Sequence, residues 1–193
     1  MSKKSHALRP AVFFDRDGTL NATHKNAAGT PLPPAHLDDF VLLPGAAEAC
    51  ATLHSQGFVI VVATNQPDVG RGTQTSAAVE AIHARLRELV PEIAHIEVSY
   101  DAFDSPSARR RKPAPGMLLD AADALGLDLS RSWMVGDRWR DIECGHRAGT
   151  RTILIGDGHG ENFPVPPDHL VASAAEVVAL ILASSSHPKT HTS

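Results

Sequence analysis

Cysteine is scarce in this chain, with two among 193 residues. Cys50 and Cys144 stand far apart, so they make neither a disulfide framework nor a Cys-x-x-Cys metal clip, and each reads as a small buried side chain in a reducing compartment. Long apolar runs are missing too. The first, Ala11 to Phe14, is far too short to span a bilayer, and the lead MSKKSHALRP has no apolar stretch of signal-peptide length behind it. A cytoplasmic protein without a membrane partner is the expectation. Charge of one sign is also lacking: the formal net charge is -4, which gives no electrostatic reason to expect nucleic acid as the main partner. No internal repeat and no low-complexity core segment is present.

What remains is an ordinary globular balance, 42% hydrophobic and 21% charged, long enough for one sizeable core. Residues 1–9 read as a disordered lead, 10–183 as one domain and 184–193 as a disordered tail. AVFFD (Ala11–Asp15) is a compact apolar run ending in an acid, as a buried parallel strand does. A loop follows from Asn21 to Pro34. Pro44-Gly45 opens a helix through Gln56, and Phe58–Asn65 is the second strand. Gln66 to Thr73 is a loop. Val79, Ile82, Leu86 and Leu89 recur at helical spacing, predicting an amphipathic helix over Thr75–Val90. Then come a strand over His95–Tyr100, a polar loop over Asp101–Lys112 and a helix over Pro115–Leu125 closed by Gly126. The end of the domain reads as a strand over Trp133–Val135, a helix over Arg138–Ala148, a strand over Thr152–Ile155 and a helix over Ala174–Leu182. Alternating strands and helices predict an α/β fold: a three-layer, doubly wound parallel sheet with helices on both faces. Ligands of such sheets bind beyond the carboxyl ends of the strands. That rule gathers Asp15, Asp17, Thr64, Asn65 and Asp137 at one edge.

The chemistry starts at Asp15-Arg16-Asp17-Gly18-Thr19. A carboxylate beside a metal can attack phosphorus and form an acyl phosphate, and a second acid can protonate the leaving oxygen and later deprotonate water. Gly18 lets the chain turn sharply away. Thr64, at the end of FVIVVATN, can hold a phosphoryl oxygen, although a lone Thr there more often just caps a turn. Lys112 in RRKP can neutralise phosphate charge, although alone it reads as part of a basic surface loop. Asp137, in Gly136-Asp137-x-x-x-Asp141, can join Asp15 in holding a hard divalent cation.

The order of these pieces carries more than any one of them. DRDGT, the Thr of VVATN, the Lys of RRKP and GDRWRD resemble the four motifs of the haloacid dehalogenase-like (HAD) hydrolases, over about Ala11 to Ile155. The resemblance implies a Rossmann-like HAD fold and a phosphatase. Asp15 would be the nucleophile, Asp17 the general acid/base, and Thr64 and Lys112 the phosphoryl-holding pair. Mg2+ would be held by Asp15, the main-chain carbonyl of Asp17, and Asp137. Asp141 would support the site from behind, or charge the start of its helix, without ligating.

DRDGTLN, TNQxxxxRG, RKPxPGM and GDRxxD further resemble the small phosphatases of heptose 1,7-bisphosphate and of histidinol phosphate, which lack a large cap domain. No gap between the motifs is long enough for a cap here. Specificity toward a small phosphorylated substrate would then fall to Arg16, Thr23, His24, Lys25, Asn26, Asn65, Gln66, Arg71, Arg111 and Arg138. Three features depart from that pattern. The stretch before RKP has no Cys or His, so no zinc is expected. Pro67-Asp68 removes a backbone N–H and adds a charge near the phosphate loop. Thr30-Pro31-Leu32-Pro33-Pro34 lengthens the first loop. The zinc-free loop and the Arg109–Lys112 run leave a polynucleotide 3′-phosphatase as an alternative, and an inactive phosphate-binding module as another. A monomer or weak oligomer is expected.

Overall fold

The computed structural model describes residues 7–26, 29–102 and 108–185. A six-stranded, all-parallel sheet forms the middle layer, built from β1 (Ala11–Phe14), β4 (Val59–Asn65), β5 (Ile93–Ser99), β6 (Trp133–Gly136), β7 (Arg151–Ile155) and β8 (His169–Val171). Their order across the sheet is β5-β4-β1-β6-β7-β8. The chain therefore winds outward from β1 in both directions, and β1 lies between the two strands that carry the Thr and Gly-Asp motifs. That reversal opens a crevice at the carboxyl ends of β4, β1 and β6.

Alternation along the strands sorts the core into two layers. Val12, Phe14, Ile60, Val62, Trp133, Val135 and Ile153 point to one face, under α1 (Ala46–Ser55), α3 (Ser76–Leu89) and α6 (Ala174–Ser185). Ala11, Phe13, Val59, Val61, Ala63 and Met134 point to the other, under α4 (Gly116–Leu125) and α5 (Trp139–Ala148). Burying each large side chain of this kind contributes about 1.5–3 kcal/mol. Both faces being covered explains why the strands read as apolar runs. Cys50 and Cys144 are free and lie in different layers, and burial pushes both thiols up to about 12.

Several elements differ from expectation. The segment expected as a loop over 66–73 contains α2 (Pro67–Arg71). Pro67 stands at its first position, where a helix leaves the N–H unpaired anyway, so it costs no hydrogen bond. The loop over 21–34 holds a small antiparallel hairpin, β2 (His24–Lys25) with β3 (Pro31–Leu32). The edge strand β8 was not expected, and β5 begins two residues early, at Ile93. Most of the expected lead and tail lies outside the described residues. At their inner ends Arg9 bridges to Leu127, and Ser184 and Ser185 close α6. No separate cap domain interrupts the sheet among the described residues, and none of their helices is long and apolar enough to cross a membrane.

Candidate active site

The end of β1 is drawn into the crevice by main-chain bonding: Asp15 N donates to Val135 O at 2.9 Å. The chain then curls back, with Leu20 N and Asn21 N donating to Arg16 O at 2.9 and 3.0 Å. Gly18 sits at the apex with φ +88°, and a Cβ there would meet Asp137 Oδ2 at 2.0 Å. Only glycine lets the two acidic loops approach this closely. Lys112 arrives from a distant loop whose backbone is clipped to β4. Asn65 Nδ2 donates to Lys112 O, and Lys112 N donates to Asn65 Oδ1, both at 3.0 Å.

The Lys112 ammonium lies 2.8 Å from Asp15 Oδ1 and 2.5 Å from Asp141 Oδ1. Asp15, Asp137 and Asp141 each place a carboxylate oxygen within 4.8 Å of the others. Three buried acids face one buried ammonium, an excess of two negative charges if all are ionised. Burial accordingly raises Asp15 to about 8, Lys112 pulling it down and Asp141, Asp137 and Asp17 pushing it up. Burial also raises Asp137 to about 6, with Asp141 adding to it and His159 and Arg138 opposing. Burial alone would lower Lys112, but Asp141 and Asp15 outweigh it and hold the ammonium charged. Asp137 Oδ1 is buried without a hydrogen-bond partner. An orphaned carboxylate oxygen in an acid cluster of this net charge fits a hard divalent cation.

A cavity of about 440 Å³ opens over the cluster, lined by Asp15, Asp17, Lys112, Asp137 and Asp141 at its base. Among the expected substrate-binding residues, Thr23, Asn65, Arg71, Arg111 and Arg138 line it. Arg16 does not. Its side chain is fully buried, with its fork on Asp17 through Nε at 3.1 Å and Nη2 at 3.0 Å. The turn after β1 folds it beneath Asp17, which removes it from the rim. Gln66 is also buried below the cavity, donating Nε2 to Asp17 Oδ2 at 2.7 Å and to Thr64 Oγ1 at 2.9 Å. Thr64 itself is 1% exposed and outside the lining. His24 and Lys25 are exposed on β2 and likewise outside it, and Asn26 bonds the turn of that hairpin, with Oδ1 accepting from Thr30 N at 2.9 Å.

Asp141 stands at the start of its helix, as expected, and also beside the other two acids. It caps α5, accepting from Arg138 N at 3.0 Å, but its other oxygen belongs to the acid cluster. The acids grouped by their side chains are thus Asp15, Asp137 and Asp141, while the Asp17 carboxylate is occupied by Arg16, Asn21 and Gln66. The charge of Asp68 at the cavity wall is paired with Arg71 at 3.0 Å. Arg109 and Arg110 are engaged by Asp120 and Glu97, leaving little of the basic run for a nucleic acid backbone. The lengthened first loop does supply part of the lining, through Pro31, Leu32 and Pro33, whereas sequence reasoning missed Arg140 and also His159, whose Nε2 lies 2.7 Å from Asp137 Oδ2.

The chain is similar to known proteins over most of its length. A family model described as HAD-hydrolase-like matches residues 109–177. The chain is 34% identical over 181 residues to a D-glycero-beta-D-manno-heptose-1,7-bisphosphate 7-phosphatase of Pseudomonas aeruginosa, covering 90% of this chain and 98% of that protein. It is 37% identical over 165 residues to the protein of the same name from Mesorhizobium japonicum, covering 80% and 73%. The crystal structure of D,D-heptose 1,7-bisphosphate phosphatase from B. bronchiseptica, complexed with magnesium and phosphate, superposes with a TM-score of 0.76 at 28% identity, over 91% of this chain and 99% of that one.

Proposed function

Because this chain belongs to the haloacid dehalogenase-like hydrolases and is one of their phosphatases, we propose that it removes one phosphate from a small sugar bisphosphate through an aspartyl-phosphate on Asp15. D-glycero-D-manno-heptose 1,7-bisphosphate is the first candidate, since relatives of that name match over nearly the whole chain. The observation that carries the reading is the meeting of Asp15, Lys112, Asp137 and Asp141 at the floor of one cavity, beside Asp17.

Asp15, Asp137, Asp141 and the main-chain carbonyl of Asp17 would hold Mg2+. When bound, the ion supplies positive charge that neutralises the phosphoryl oxygens. Lys112 holds Asp15 at Oδ1 and adds a second positive charge next to the reacting group. Asp15 attacks phosphorus, its carboxylate oxygen forming a new P–O bond as the ester P–O bond breaks. Asp17 gives its proton to the departing sugar oxygen. It then takes a proton from water, which attacks phosphorus and frees the Asp15 carboxylate and inorganic phosphate. Gln66 bridges Asp17 and the buried Thr64 hydroxyl, so Thr64 supports the Asp17 carboxylate from below and does not face the cavity. Arg71, Arg111, Arg138 and Arg140 around the cavity suit a substrate with a further anionic group away from the reacting phosphate.

Phosphate release from heptose 1,7-bisphosphate, other sugar bisphosphates, sugar monophosphates, histidinol phosphate and 3′-phosphorylated oligonucleotides tests the reading. Preference for a sugar bisphosphate, lost in chelator and restored by Mg2+, is expected. Preference for the oligonucleotide would overturn it.

A further inference from the structure

The turn after β7 is built at a cost that the hydrolytic reading leaves unexplained. Gly158, His159 and Gly160 have φ of +68°, +56° and +67° in succession. His159 is the one non-glycine residue with positive φ among the described residues. An L-residue is strained there because its Cβ crowds the backbone, and glycine would occupy the place freely. The flanking positions do use glycine: a Cβ on Gly158 would come within 2.8 Å of the Phe163 ring. Strain of this kind persists where the side chain is needed.

The turn is anchored on both sides of that side chain. Asp157 Oδ1 accepts from His159 N at 2.9 Å, and Glu161 N donates to Gly158 O at 3.0 Å. Glu161 then grips the start of α5, its carboxylate 3.4 Å from both Trp139 N and Arg138 Nη1. Held in this way, the imidazole reaches Asp137 Oδ2 at 2.7 Å. A carboxylate only accepts, so Nε2 carries the proton of this bond. A Cβ on Gly18 would meet the same Oδ2, at 2.0 Å. Oδ1, buried and without a partner, is the oxygen left for a cation.

We propose that His159 is a positioning residue, which fixes the rotation of the Asp137 carboxylate so that Oδ1 is presented to a divalent cation. The inference rests on the proposed cation site, and it adds a residue outside the four motifs that makes that site tighter. A partner of this kind behind a ligand typically changes metal affinity 10–100-fold.

The test is calorimetric titration of Mg2+ into chelator-stripped protein, alongside thermal melting. His159→Ala and His159→Gly are each expected to weaken Mg2+ binding about 10–100-fold. His159→Gln, whose amide keeps a donor, should retain more affinity than either. His159→Gly should melt about 2–4 °C above His159→Ala, because glycine relieves the left-handed strain while both lack the imidazole. Wild-type affinity in both the Ala and Gly variants would overturn the role of His159 and leave the cation site standing. No Mg2+ binding by the wild-type protein would overturn both.

Discussion

Replacing Lys112 by Met removes the one ammonium among three buried acids while nearly preserving volume. Its side chain is 3% exposed and ion-paired at 2.8 Å to Asp15 and 2.5 Å to Asp141. At an effective dielectric near 20 a single pair at such a distance is worth about 6 kcal/mol of attraction, much of it offset by desolvation. Breaking a buried pair from one side costs about 3–5 kcal/mol, the price of a charge left uncompensated. Urea unfolding in chelator at pH 7.5 should show that loss. The penalty should also depend on pH. Asp15 is already raised in the fold, to about 8, against an ordinary value near 4. A group raised on folding is stabilising below its unfolded pKa, and that contribution is lost as pH rises toward the folded value. Lys112→Met raises Asp15 further, so Asp15 is protonated in both folded proteins below about pH 7, and the penalty should be level from about pH 5 to 7 and grow above about pH 8. At one fixed Mg2+ concentration the variant should gain more stability than the wild type, a hundredfold excess over a protein's own Kd being worth about 2.7 kcal/mol. Wild-type stability in chelator, or a penalty that does not grow between about pH 7 and 9, would refute the reasoning.

Three further outcomes follow from the same geometry. Asp15→Asn is nearly isosteric and should abolish phosphate release while changing the melting temperature by only a few degrees, so residual turnover above a thousandth of wild type would exclude Asp15 as nucleophile. Gly18→Ala must displace either the turn or Asp137, because its Cβ would lie 2.0 Å from a carboxylate oxygen at φ +88°; kcat/KM should fall at least about 100-fold, read by steady-state kinetics. His83 is buried on α3, and burial, with the Arg16 charge adding, lowers it to about 4 against an unfolded value near 6.5. A depressed value contributes stability above pH 6.5 that is lost as pH falls toward 4, so the wild type should lose about 3 kcal/mol relative to His83→Leu across that window in denaturant titrations.

The parts of this protein legible in the sequence are those where local pattern and global position coincide. Strands buried on both faces announce themselves as apolar runs, and an acid closing such a run lands at the crevice, as Asp15 and Asp137 do. The edge strand β8 has only His169, Leu170 and Val171, too short a signal to separate from a loop. The helix α2 hides behind Pro67, whose breaking tendency is harmless at a first helical position. Arg16 looks available between two acids, yet the turn that aims them outward folds it inward onto Asp17. His159 belongs to no recognisable spacing. Two neighbouring glycines mark a turn there, and only the folded chain shows that the turn ends against Asp137.

The amide of Asn65 treats the main chain of Lys112 as a neighbouring strand would, with one bond given and one received. Neither Asp, which cannot donate, nor Leu, of similar bulk, can replace that reciprocity. The lysine-bearing segment and the tip of β4 therefore form one transplantable part. An engineer exchanging either between homologous scaffolds would have to carry the other along, or lose the placement of the ammonium that both serve.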